Sequence, residues 1–124
     1  MEAPAHYLPI MPYIIVPKAY DFIRFIKAVF NAEEMFLLPR EEGIIMHAEF
    51  KIGKGCIMFC DATDDYLAFP CSMFLFIDNV EDLYQKGLAN GATSLQDIAE
   101  REYGKSAGFK DAFGNAWWLT EPSK

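Results

Sequence analysis

Only three cysteines and two histidines occur in the 124 residues, and lysine and arginine together number 11 against 18 acidic residues. Each shortage excludes something. An odd, small set of cysteines does not make a disulfide framework. Cys56 and Cys60 sit on one strand-like run, roughly 13 Å apart at strand rise, too far to bond directly. Three reduced thiols in a cytoplasmic protein is the reading, and no second close pair of ligands completes a zinc site. A net charge of -7 repels phosphate backbones, so nucleic acid is not an expected partner. No apolar run reaches the ~20 residues that span a bilayer, and no basic start precedes a long apolar stretch, so neither a membrane nor export is expected. What remains is a globular composition, 52% hydrophobic and 15% aromatic, in a length that suits one domain.

Pattern along the chain reads as a duplicated unit. Ile10–Val16 is β-branched and apolar among Pro9, Pro12 and Pro17, hence a strand near an edge. Phe22, Ile23, Ile26, Val29 and Phe30 repeat at helical spacing, with Asn31 placed to end the helix. Strands follow over 33–38, 44–52 and 56–61, separated by turns at 39–43 and 53–55. After an acidic linker over 61–66 the order recurs. A strand covers 72–78. A helix is capped by Asn79 and carries the stripe Val80, Leu83, Tyr84 and Leu88. Three strands follow at 93–98, 106–111 and 116–120. In the last hairpin Gly114 and Asn115 supply residues that tolerate positive φ, and Asp111 accepts hydrogen bonds from turn amides.

The segments Pro12-Tyr13-Ile14-Ile15-Val16, Val29-Phe30-Asn31-Ala32-Glu33, Ile45–Gly53 and the terminal Tyr103–Trp118 hairpin together resemble the glyoxalase/bleomycin-resistance/extradiol-dioxygenase family, the vicinal-oxygen-chelate superfamily, in its PhnB-like branch. The resemblance spans nearly the whole chain. It implies an α+β fold in which two βαβββ modules, roughly 8–61 and 70–121, form a curved mixed sheet around a cleft with helices on the outer face. It also implies a homodimer. Metal-dependent members hold one divalent ion from four strands; laid on this chain, those positions fall at Met11, Met58, Ser72 and Leu119. Two thioethers, a hydroxyl and an alkyl chain do not replace nitrogen and oxygen donors, so no metal and no cofactor is expected.

Strand alternation assigns the rest. Ile14, Val16, Ile57, Phe59, Met73, Leu75 and Ile77 should pack under the helices. Tyr13, Met58, Cys60, Phe74, Phe76 and Trp117 should face the cleft as an apolar and aromatic wall, with Trp118 turned into the core. His47 and Glu49 share the cleft face of their strand, about 6.5 Å apart at the backbone. They are the candidate catalytic pair, a histidine beside a carboxylate, or else a structural hydrogen-bonding pair, and with Tyr103 they are the polar groups expected to orient a bound ligand. Tyr103 sits in a Tyr-Gly pair that the resemblance places by the cleft mouth, or else is a half-buried aromatic, whereas His6 lies near the terminus with no expected role. The function expected is binding or sequestration of a small aromatic or cationic molecule. The alternative is a lyase, isomerase or dioxygenase-like enzyme of the same superfamily with relocated metal ligands or a His47/Glu49 acid–base pair. A third reading is an interaction module with a vestigial cleft.

Overall fold

A computed structural model of the chain describes residues 2–41 and 43–122. Its elements run β1 (Tyr13–Val16), α1 (Ala19–Phe30), β2 (Glu33–Pro39), β3 (Ile45–Ile52), β4 (Gly55–Asp61), β5 (Ser72–Phe76), α2 (Val80–Ala89), β6 (Thr93–Arg101), β7 (Gly104–Lys110) and β8 (Ala116–Glu121). This is βαβββ twice over, in two compact units, Met1–Phe69 and Pro70–Lys124. Each unit is a mixed four-stranded sheet, ordered β1-β4-β3-β2 in the first and β5-β8-β7-β6 in the second. In both, the first strand runs parallel to the last and the remaining neighbours are antiparallel. The first strand is shorter than its apolar run: Ile10 to Pro12 precede the ladder, and Ile10 is exposed. The expected 39–43 turn includes Glu42, which lies outside the described residues.

The helix ends follow from side chains the sequence makes available. Asn31 closes α1 in the left-handed region, φ 53°, and its amide donates to the Lys27 carbonyl at 3.1 Å. At the start of α1 no neighbouring side chain caps. Instead the buried Asp61, the last residue of β4, accepts from the Ala19 amide at 2.8 Å and the Ile45 amide at 2.6 Å. The second module repeats the device. Asn79 occupies the cap position but makes no side-chain bond, contrary to its expected role; Glu121, at the end of β8, accepts from the Val80 amide at 3.1 Å. An acid at the end of each module's closing strand thus meets the positive end of that module's helix.

Apolar faces match the pattern in module one. Ile14, Val16, Phe22, Ile26, Ala48, Phe50 and Phe59 are fully buried, with Phe22 edge-on and Phe50 stacked against Phe59. In module two Gly87 lets α2 lie against β7, since a Cβ there would meet the Phe109 ring at 2.4 Å.

The facing of the last strand differs from expectation. Trp117 and Leu119 are 0% exposed, while Trp118 is half-buried. The parallel register sets this phase: Met73 stands beside Trp117 and Leu75 beside Leu119, so these share the core face. Trp117 is further fixed by its Nε1–H donating to Asp111 Oδ2 at 2.8 Å. Trp117 is therefore a core residue rather than part of the open-face aromatic wall. Trp118 takes the open face with Phe74, its Nε1–H reaching Ser72 Oγ at 2.8 Å. The hairpin itself forms as expected around Asp111, whose Oδ1 accepts from the Phe113 amide at 2.8 Å and the Asn115 amide at 2.9 Å. Gly114 takes φ 93°; Asn115 does not enter that region, and its buried amide oxygen accepts from the Cys71 N–H at 2.9 Å.

Candidate functional site

Alternation along β1, β3 and β4 places Tyr13, His47, Glu49, Met58 and Cys60 on the sheet face away from α1. Tyr13 and Glu49 both stand opposite Met58, one on either side of it. These five expected residues belong to one surface of the first module. Phe74 and Phe76 lie on the open face of the second module's sheet, 66% and 65% exposed, and Tyr103 lies in the turn between β6 and β7.

Glu49 is the centre of the polar cluster. It is only 3% exposed, and its carboxylate accepts from three directions. His6 Nε2 lies 2.6 Å from Oε1, the Tyr7 hydroxyl donates to Oε2 at 2.7 Å, and His47 Nε2 lies 2.8 Å from Oε2. Burial alone pushes its carboxyl pKa up. The bonds from Tyr7, His47 and His6 outweigh that and hold it below the ordinary value of 4.5. His6, expected to be incidental, is thus a first-rank partner. Nothing in its spacing announces this, because the contact joins residues 43 apart in sequence.

An ionised Glu49 only accepts, so both imidazoles present Nε2–H to it. In the neutral imidazole His47 Nδ1 is then the acceptor, and the Tyr13 hydroxyl lies 3.1 Å away. The Tyr13 and His47 rings stack at 5.6 Å between centroids, and Phe36 leans on the other side of the imidazole at 5.9 Å. The result is a directed chain: Tyr13 O–H to His47 Nδ1, then His47 Nε2–H to Glu49. Burial, the neighbouring Cys60 thiol and the Glu49 charge push the Tyr13 phenol up to about 12, so it keeps its proton at neutral pH.

Beside this chain is a cavity of about 410 Å³. Its wall includes Tyr13, Ile15, Ile44, Met46, Cys60 and Tyr66, with Arg40 as its cation. The segment after β4 helps build it, since Phe69 pairs with Ile15 through amide bonds of 2.9 and 3.3 Å. Asp61 also borders the cavity, with both oxygens committed to backbone amides. Sequence reading missed Arg40, Tyr66 and the Phe69 strap; the acidic linker gave no signal that it would fold back on β1.

The four positions at which the resemblance would place a metal ion offer no suitable donor set here. Met58 offers only a thioether, Ser72 is engaged by Trp118, and Leu119 points into the core. Correcting the last strand does not help, because the residues it brings to the open face are Trp118 and Thr120, neither an imidazole nor a carboxylate. Among the described residues no group of three or more His, Cys, Asp or Glu side chains is placed to hold an ion. No helix of the described residues is long and apolar enough to cross a membrane.

No protein-family model matches the chain. An uncharacterized protein of Mycobacterium tuberculosis is 25% identical over 123 residues, which cover 90% of this chain and 72% of that protein. Among solved structures, TioX from Micromonospora sp. ML1 superposes with a TM-score of 0.75 at 17% identity, covering 94% of this chain and 98% of TioX. The PhnB protein from Bacillus cereus, described as a putative 3-demethylubiquinone-9 3-methyltransferase, gives 0.69 at 17% identity over 92% of this chain and 99% of its own. The fosfomycin resistance protein FosX from Listeria monocytogenes gives 0.66 at 17% identity over 92% of both chains. The chain has the paired βαβββ fold of the glyoxalase/bleomycin-resistance, or vicinal-oxygen-chelate, superfamily, to which these neighbours belong.

Proposed function

We propose that the chain is a small-molecule-binding protein whose site is the cavity of the first module, and that it binds an aromatic ligand without a divalent ion. The observation that carries this is the cavity of about 410 Å³, walled by Tyr13, Ile15, Ile44, Met46 and Tyr66. Its size and apolar wall suit a small ring compound, and a few polar groups suffice to orient one. The absence of imidazole and carboxylate ligands at Met11, Met58, Ser72 and Leu119 supports metal-free binding. FosX is named for fosfomycin resistance, and this reading gives the chain a small-molecule ligand as well. The same reading takes the protein to be a cytoplasmic homodimer.

Native mass spectrometry of the chain after incubation with a bacterial metabolite extract tests it. The account expects a retained small molecule, one per chain, lost in Ile15→Trp, which fills the cavity, and kept in the presence of EDTA. Retention that is unaffected by Ile15→Trp, or that needs added metal, overturns it.

A further inference from the structure

The Tyr13–His47–Glu49 chain does more than a hydrogen-bonded cluster needs to do. Its buried carboxylate fixes the His47 tautomer, and that tautomer leaves Nδ1 as a proton acceptor. The acceptor is connected to a hydroxyl on a residue that also lines the cavity. A base oriented by a buried third group is the arrangement that makes imidazole useful in proton transfer.

We infer that Tyr13, His47 and Glu49 form a proton relay serving the cavity, and that the ligand it takes is an aromatic molecule with an acidic hydroxyl, a phenol or enol. This rests on the proposed cavity site and adds the class of ligand and what happens to its proton.

The transfer balances without a co-reactant. The ligand O–H bond breaks and its proton goes to Tyr13 Oη. The Tyr13 proton passes to His47 Nδ1. The products are a ligand oxyanion, a Tyr13 that is again protonated, and an imidazolium paired with Glu49. Tyr13 then donates to the oxyanion, and Arg40 on the same wall supplies positive charge. The high pKa of Tyr13 favours this role, because a phenol that does not ionise at neutral pH remains a donor. Other titratable groups stand around the relay. His6 and Tyr7 bond the same carboxylate from the N-terminal arm. Cys56 feels the Glu49 charge, and Lys51 stands beside Cys56 in the ladder. Cys60 adjoins Tyr13 itself.

Two matched probes separate the inference from the reading beneath it. 4-Nitrophenol reports its own ionisation by colour; 4-nitroanisole has the same ring and no proton to give. The full chain is titrated with each at fixed pH, with nitrogen-15 NMR of His47 as a second readout. The expected result is that both bind, that bound nitrophenol is ionised about tenfold more than free nitrophenol, and that His47 gains a proton with nitrophenol only. Tyr13→Phe and His47→Gln should abolish the ionisation shift, with nitroanisole binding showing whether their cavities remain intact. If nitroanisole binds but nitrophenol binds without ionisation or without protonating His47, the relay is overturned and the cavity reading stands. If neither probe binds the unaltered chain, both the relay and the aromatic-cavity reading fail.

Discussion

Side chains here are assigned by their partners as much as by their polarity. Trp117 and Trp118 are chemically identical neighbours with opposite fates. Alternation was legible in the sequence; its phase was not, because two numbers set it that spacing does not contain. One is the register against β5, which puts Met73 beside Trp117. The other is the reach from Asp111 Oδ2 to the Trp117 indole. Trp117→Ala should therefore destabilise the fold by about 3–5 kcal/mol, the range for a large buried aromatic. Trp118→Ala should cost less, about 1–2 kcal/mol, for a half-buried ring that loses one hydrogen bond. Urea unfolding of both variants checks the order; equal losses would mean that the strand phase is wrong. His6 teaches the same lesson at longer range, since only the folded chain brings it to Glu49.

At the level of elements, the helices and their stripes were readable from the 3.6-residue spacing, and Asn31 from its tolerance of a left-handed backbone. The helix starts were not. Each is held by an acid about 40 residues away, Asp61 for Ala19 and Glu121 for Val80, so no local capping motif marks them. Asp61→Ala should cost about 2–4 kcal/mol, because two amides lose a buried acceptor. Glu121→Ala should cost about 0.5–1 kcal/mol at its more exposed site. Thermal melts of the two variants would reveal the difference. The N-terminal arm is tied by another acid. Glu49 is a carboxyl with a depressed folded pKa, so its contribution is full above the ordinary value of 4.5 and is lost as pH falls through the lower folded value. Amide exchange at His6 and Tyr7 should accelerate in that acid window and not between pH 6 and 8. In Glu49→Gln the arm's exchange should be fast at every pH; an arm equally protected in that variant would show that it is held by something else.

For the whole molecule, the duplication was legible because turn signals and apolar runs recur in one order, and the structure repeats it down to the acid that caps each helix. The segment 62–69 was less so: its polar start hides a backbone pairing with β1 that only the fold supplies. The homodimer expectation belongs to this scale. Phe74 and Phe76 are 66% and 65% exposed, and Tyr103 is 60% exposed. A second copy would remove such apolar area from water. Sedimentation equilibrium at micromolar concentration should give twice the mass of 14.1 kDa, falling toward the monomer in Phe74→Glu. A monomer in the unaltered chain would refute it.

Chemical-shift mapping on the full chain, with 4-nitroanisole as the titrant and EDTA present throughout, tests the central claim most directly. A metal-free cavity in the first module predicts saturable shifts at Tyr13, Ile15, Ile44, Cys60 and Tyr66, the residues that wall it. Shifts centred instead on Phe74, Phe76 and Tyr103, or binding that appears only once a divalent ion replaces EDTA, would contradict it.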